Sequence, residues 1–193
     1  MSIAEKKHIG RLYIVSGPSG AGKSSLCAAW LERYPDLRLS ISCTTRPPRP
    51  GEMSGREYHF LTRQAFEAQR DAGAFLEWAY VHGNLYGTRE KDVQAMLDEG
   101  CDALLEIDWQ GAAQVAEKIP EAIRIFILPP SLEELRKRII TRGQDDSAII
   151  EQRLAAAEAE MAHVGEAHYQ IVNDDFDSAL EALLRIHQSA AHG

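Results

Sequence analysis

Cysteine, basic charge and long apolar runs are all scarce in this chain, and each shortage excludes a class of protein. Only three cysteines occur in 193 residues, Cys27, Cys43 and Cys101. Their number is odd and their spacing unpaired, which rules out a disulfide framework and a structural zinc site and reads as reduced thiols. The seven histidines show no H-x-x-x-H spacing, so they do not form the helical metal pair that such spacing allows. Residues 1–11 carry Lys6 and Lys7 but no apolar segment of the kind a secretory leader needs, and no run elsewhere is long enough to span a bilayer. A cytoplasmic protein is expected. Lys and Arg number 21 against 29 Asp and Glu, a net charge of −8. That balance opposes a general nucleic-acid or anionic-membrane binder, which needs a basic surface. Any phosphate site must therefore be built locally.

What is present suits one compact domain with small inserted pieces: 45% apolar and 26% charged residues, with no internal repeat and no low-complexity linker. Strand-like and helix-like segments alternate, the pattern of an α/β fold with a largely parallel sheet and helices on its faces. Leu12-Tyr13-Ile14-Val15 reads as a buried strand and Lys23 to Tyr34 as a helix that Pro35 stops. Leu39 to Cys43 reads as a strand, Thr44 to Gly55 as a loop rich in Arg, Pro and Gly, and Glu57 to Leu61 as another strand. Thr62 is placed to cap a helix ending near Gly73, and Phe75 to Tyr80 with Gly83-Asn84 suggests a hairpin. This mixed stretch reads as an insertion. Thr88 can cap a helix closing at Gly100, and Ala103 to Asp108 reads as a buried strand ending in acids. Ile123 to Leu128 is a further strand, Ser131 to Glu134 has the form of a capping box, and Ser147 to Val164 reads as a polar helix. A strand from Gln170 to Asn173 and a helix with Ala179, Leu180, Leu183 and Leu184 on one face close the chain.

Between the first strand and the first helix lies Gly17-Pro18-Ser19-Gly20-Ala21-Gly22-Lys23-Ser24, followed by Ser25. It fits G-x-x-x-x-G-K-[ST] in the strand-loop-helix setting that gives the pattern its meaning. Glycines let the backbone turn its N–H groups inward around an anion, and the helix N-terminus adds partial positive charge. Lys23 is expected to reach the β- and γ-phosphates of a nucleoside triphosphate, and the Ser24 hydroxyl to help hold Mg²⁺.

A second group of motifs runs in order along the chain: Ser42-Cys43-Thr44-Thr45-Arg46-Pro47-Pro48-Arg49-Pro50-Gly51-Glu52, Arg56 to Phe60, Phe75 to Ala79, Gly83 to Thr88, Ile107 to Gly111, Pro129 to Ser131, Arg142-Gly143 and Val172 to Asp174. Together with the phosphate loop they resemble the guanylate kinase family over nearly the whole chain. The resemblance implies a P-loop kinase core (1–40, 92–131 and 164–193), an inserted GMP-binding subdomain (41–91) and a helical lid (132–163). It implies transfer of the γ-phosphoryl of ATP to GMP or dGMP with Mg²⁺, feeding guanine nucleotide synthesis and recycling.

The same resemblance implies roles that side-chain chemistry supports. Arg46 and Arg49, with the hydroxyls of Tyr58 and Tyr86, are matched to the acceptor phosphate. Guanidinium forks bind phosphate bidentately, and Pro47, Pro48 and Pro50 stiffen the loop that carries them. Guanine offers N1–H and N2–H₂ donors beside its O6 acceptor, so Glu77 is matched to the donors, Ser42 and Thr88 to O6, and Asp108 to the neighbourhood of base and metal. Thr88 stands where the family carries serine, and serves equally as a hydroxyl donor or as a helix cap. Glu106 and Asp108, two apart on a strand, are expected on one face, near Mg²⁺ through water, with direct coordination assigned to neither. Arg138 and Arg142, four apart, and Arg153 on the next helix are matched to lid arginines that stabilise the migrating group beside Lys23 and Arg46. Asn173 is matched to the surroundings of the donor adenine.

Two other readings stay open on the residues. One is a non-catalytic guanylate-kinase-like module binding phosphopeptides, against which stand Lys23, Ser24 and the lid arginines. The other is a small kinase acting on a sugar phosphate, against which stand Arg46, Arg49, Tyr58 and Glu77 as a set. The oligomeric state is not legible in the sequence.

Overall fold

The computed structural model describes residues 10–81, 83–141 and 147–191. Nine strands and seven helices are found among them. Five strands share one sheet in the order β2-β7-β1-β8-β9: β1 Leu12–Ser16, β2 Leu37–Leu39, β7 Asp102–Glu106, β8 Ile123–Leu128 and β9 Tyr169–Val172. β2 pairs with β7, and β8 with β9, in parallel. The four others, β3 Cys43–Thr44, β4 His59–Phe60, β5 Phe75–Val81 and β6 Asn84–Arg89, form a second sheet in the order β4-β3-β6-β5. There β3 runs parallel to β4, and β6 is antiparallel to both β3 and β5. The helices are α1 Lys23–Arg33, α2 Arg63–Asp71, α3 Glu90–Asp98, α4 Trp109–Lys118, α5 Leu132–Thr141, α6 Ser147–Met161 and α7 Phe176–Ala191.

The described chain divides into two compact units. The first comprises Asp36–Leu105 and Gln110–Ala122 with the chain up to Tyr13. Within it Cys43, Phe66, Phe75 and Leu85 form a core under the smaller sheet, and Phe66 stacks on Phe75 at 4.5 Å. Truncating a buried ring of that kind costs about 3–5 kcal/mol. The Thr62 hydroxyl accepts from the Ala65 N–H and caps α2, as its sequence position predicts.

The second unit comprises Ile14–Pro35, Glu106–Trp109 and the chain from Ile123 onward. Trp30 on α1 is fully buried and donates its indole N–H to Nδ1 of His187 on α7, at 3.2 Å. His187 also stacks on Tyr34 at 3.8 Å, so one polar ring is satisfied inside an apolar contact. α7 buries Ala179, Leu180, Leu183 and Ile186 at helical spacing, with Leu184 only part-buried. α5 and α6 pack through Leu135, Ile139 and Ala157. The Ser131 hydroxyl accepts from the Glu134 N–H, closing the expected cap of α5.

Three expectations are corrected. The strand expected from Leu39 to Cys43 is two strands in different sheets: the Ser40 N–H still bonds the Leu104 carbonyl, while Cys43 pairs with Gly87 and His59. Alternation along a strand does not reveal where its pairing partner changes. The strand expected to reach Asp108 ends at Glu106. Finally, α4 has no counterpart in the sequence reading, although Ala112 and Val115, both buried, are three apart on it.

Candidate functional site

In the second unit, β1 delivers the chain into the loop at Gly17, and α1 starts at Lys23 with Gly22 as its N-cap and no side-chain cap. The first-turn N–H groups of α1 therefore keep their capacity for an anion. The loop demands glycine by geometry. Gly17 has φ +134° and Gly22 φ +93°, and a Cβ at either would meet an atom at 2.2 Å, the Ile127 carbonyl oxygen or Asn173 Nδ2 respectively. Pro18 and Ala21 are buried, Gly20 is part-buried with φ +91°, and Ser19, Ser24 and Ser25 are exposed.

The Lys23 ammonium donates to the carbonyls of Gly17 and Pro18. Burial lowers its pKa below the usual lysine value, opposed by the charges of Glu160, Glu106 and Asp108. A partly dehydrated cation that donates to loop carbonyls is ready for a stronger acceptor such as phosphate. The Ser24 hydroxyl donates to Oε1 of Glu106 at 2.6 Å. Asp108 lies beyond the strand end, so strand alternation does not set its face relative to Glu106; its charge acts on Lys23, as that of Glu106 does, and on Glu160.

Asn173 is buried and its amide donates to the Ala21 carbonyl at 2.7 Å, tying the end of β9 to the phosphate loop. Arg138 donates to the Asn173 carbonyl at 3.1 Å and lies 3.7 Å from Glu134. The fold thus joins Arg138, Asn173 and Ala21 from three distant segments. Arg153 sits part-buried on α6, and Arg142 lies outside the described residues.

Glu160 was not among the sequence candidates. It stands on α6, where burial pushes its carboxyl up to about 7 against the pull of Lys23, with Asp108 adding to the rise. The helical pattern alone gives it no distinction from its neighbour Glu158. Its loop-facing position depends on how α6 docks. Trp109 stacks on His163 just past α6, with ring centroids 3.6 Å apart.

In the first unit, Glu77 on β5 and Thr88 on β6 are cross-strand partners. The Thr88 hydroxyl donates to Glu77 Oε1 at 2.6 Å and lies 3.4 Å from Ser42 Oγ. Glu77 is 3% exposed and Thr88 fully buried. The cap reading of Thr88 is overturned: the N-cap of α3 is Arg89, with no side-chain cap bond, and Thr88 lies within β6 with its hydroxyl turned to Glu77.

Arg46 extends from the loop after β3. Its guanidinium bonds Glu52 at 2.9 Å and the Pro47 carbonyl at 2.8 Å, and stands 5.5 Å from the Tyr58 ring centroid. Tyr58 meets Tyr86 edge to face at 5.9 Å. The second oxygen of Glu52 accepts the Arg49 N–H at 2.6 Å, while the Arg49 side chain is exposed. Glu52 is therefore the organiser of the arginine loop. Glu52 follows Arg49 by three residues, the place of a turn-closing acceptor, and that spacing is the one signal in the sequence for its role. Its carboxyl is held below the usual range, first by the Arg46 hydrogen bond and then by the Arg49 N–H.

Among the described residues no group of three or more His, Cys, Asp or Glu can hold a metal by itself, and no helix is long and apolar enough to cross a membrane.

The guanylate kinase family model matches residues 9–190. The guanylate kinase of Idiomarina loihiensis is 53% identical over 180 residues, covering 92% of this chain and 86% of its own. That of Alkalilimnicola ehrlichii is 53% identical over 183 residues, covering 95% and 90%. A solved guanylate kinase from Anaplasma phagocytophilum superposes with TM-score 0.79 at 34% identity, covering 95% of this chain and 87% of that one. A shikimate kinase from Bacteroides thetaiotaomicron reaches 0.51 at 16% identity, covering 93% and 99%, a likeness of fold alone.

Proposed function

The chain belongs to the guanylate kinase family and is an ATP:GMP phosphotransferase, and from that premise we propose which of its residues hold each nucleotide and move the phosphoryl group. The triphosphate of ATP lies in the loop from Gly17 to Ser24 and against Ser25, held by backbone N–H groups and the start of α1. Lys23 exchanges the carbonyls of Gly17 and Pro18 for the β- and γ-phosphates. Asn173 lines the adenine, its backbone position fixed by Arg138 and its amide by Ala21.

The GMP phosphate is taken by Arg46, Arg49, Tyr58 and Tyr86, and the guanine edge by Glu77 for its donors and Ser42 for O6; Thr88, whose one proton goes to Glu77, orients that carboxylate, and Asp108 lies near base and metal. A buried carboxylate is an acceptor-only group, matched in kind to the N1–H and N2–H₂ donors. Adenine lacks the N2 donor and presents an amino group in place of O6, leaving buried groups unpaired at a cost of several kcal/mol. None of these assignments engages the 2′-hydroxyl, and dGMP is expected to serve as acceptor too.

No general base is required, because the attacking group is already a phosphate oxyanion. Catalysis rests on positioning and on cations around the migrating phosphoryl, supplied by Lys23, Arg46, Arg138, Arg142 and Arg153. The lid segment 132–163 carries the last three, the segment 41–91 binds GMP, and 1–40, 92–131 and 164–193 form the core. The groups around Ser24 fit a hydrated Mg²⁺: the Ser24 hydroxyl would hold the ion, and Glu106, 2.6 Å from that hydroxyl, and Asp108 would hold its waters. Held there, Mg²⁺ would supply positive charge that offsets the charge of the phosphates. Three buried free thiols support a cytoplasmic, reducing location.

The observation that carries the residue assignment is the buried Thr88–Glu77 hydrogen bond, an acceptor prepared for a donor-rich base edge. ADP formation from Mg·ATP with GMP, dGMP, AMP, IMP, CMP and UMP in turn, each against an acceptor-free blank, tests it. Turnover is expected with GMP and dGMP far above the others. Comparable rates with AMP sink the guanine-edge assignment.

A further inference from the structure

The open edge of β5 is covered not by a strand but by side chains of α4, and they grip the backbone on both sides of Glu77. β5 is the last strand of its sheet. Gln114 Oε1 accepts the Trp78 N–H at 3.2 Å, and its Nε2 donates to the Trp78 carbonyl at 2.7 Å, so one amide reproduces the two bonds of a neighbouring strand. One helical turn on, Lys118 donates to the carbonyls of Leu76 and, at 3.4 Å, of Phe75. Successive residues of a strand direct their backbone groups to opposite edges, so residues 76 and 78 face α4 while Glu77 pairs with Thr88 on β6.

The pairing of β5 with β6 is irregular between Phe75 and Glu77. At that point the ladder alone does not fix the strand, and an edge strand has no second neighbour to correct it. Glu77 presents its carboxylate from there, and a site residue displaced by a fraction of an ångström loses its function. We propose that Gln114 and Lys118 are positioning residues for guanine selection, holding the β5 backbone so that Glu77 meets the base. The proposal rests on the reading of Glu77 as the guanine-binding carboxylate.

The test compares Gln114→Leu, Lys118→Met and Lys118→Arg with the parent enzyme and with Glu77→Gln, measuring kcat and KM for GMP, IMP and ATP below each protein's melting transition. IMP lacks the 2-amino group, so the GMP-to-IMP ratio of kcat/KM reports contact with the carboxylate. Gln114→Leu and Lys118→Met are expected to lower kcat/KM for GMP about tenfold, mainly through KM, and to shrink that ratio, with the KM for ATP unmoved. Lys118→Arg, which keeps a donor for the Leu76 carbonyl, is expected to retain most of the ratio. If GMP and IMP fall by the same factor, or neither falls, α4 is only an edge cover and the proposal is overturned. Should Glu77→Gln itself keep the ratio, the assignment of Glu77 is what fails; if Glu77→Gln collapses it and Gln114→Leu does not, the positioning role alone fails.

Discussion

Thr88 gives its hydroxyl proton to Glu77 across the β5–β6 pair at 2.6 Å, both residues shielded from water. The bond orients the carboxylate and leaves the Thr88 lone pairs toward Ser42, 3.4 Å away. A hydrogen bond to a charged group of this kind is worth about 1.5–3 kcal/mol. Thr88→Val, which keeps the shape and removes the donor, is therefore expected to lower kcat/KM for GMP about 10- to 100-fold. Thr88→Ser restores the donor and is expected to stay near the parent. Equal loss in both variants, by steady-state kinetics, points to packing instead.

Glu52 holds Arg46 with one oxygen and the Arg49 N–H with the other. Replacing it by Gln weakens both contacts without changing size. The KM for GMP is expected to rise about tenfold, as for loss of a preorganised phosphate clamp, while the KM for ATP holds. A matching rise in both KM values assigns Glu52 to general stability.

The phosphate-loop glycines make a ranked pair. Gly17→Ala sets a Cβ 2.2 Å from the Ile127 carbonyl oxygen, which is strand backbone and cannot move aside; Gly22→Ala sets one 2.2 Å from the Asn173 amide, which can turn away. Each variant also forces a side chain into positive φ at about 1–3 kcal/mol. Urea unfolding is expected to show both destabilised, Gly17→Ala the more, and the reverse order contradicts the geometry.

Glu160 links stability to pH. Its carboxyl in the folded protein titrates at about 7, whereas in the unfolded chain it titrates near 4.3. Between those values the native state binds more protons, so this contribution is complete at low pH and is lost as pH rises through 7. The stability of the parent minus that of Glu160→Gln is expected to fall by up to about 3 kcal/mol between pH 5 and pH 8. Denaturant titrations at those two values decide it, and a difference independent of pH removes the linkage.

How much was legible follows from how far each feature reaches along the chain. The phosphate loop, the Thr62 cap and the Ser131 cap are contacts within a few residues, and each was placed correctly from spacing. The division of Leu39 to Cys43 between two sheets was not legible, because Ser40 bonds Leu104 while Cys43 pairs with Gly87, and both partners lie far along the chain. The cap assigned to Thr88 failed for the same reason: position before a helix favours a cap, but β6 runs on through Thr88 to Arg89 and turns its hydroxyl toward a buried carboxylate across the sheet.

The sequence by itself determined the chemistry that lives in local geometry. Glycine at positive φ, a lysine at a helix start and an arginine loop stiffened by proline are set by covalent structure and nearest neighbours, and their order was enough to indicate the family. Only the tertiary structure decided that Thr88 serves Glu77, that Glu52 binds Arg46, that Glu160 faces Lys23, and that Gln114 closes the edge of β5. Those relations arise from strand register and helix docking, where the free energy comes from burial summed over many distant residues and no short stretch of sequence carries it.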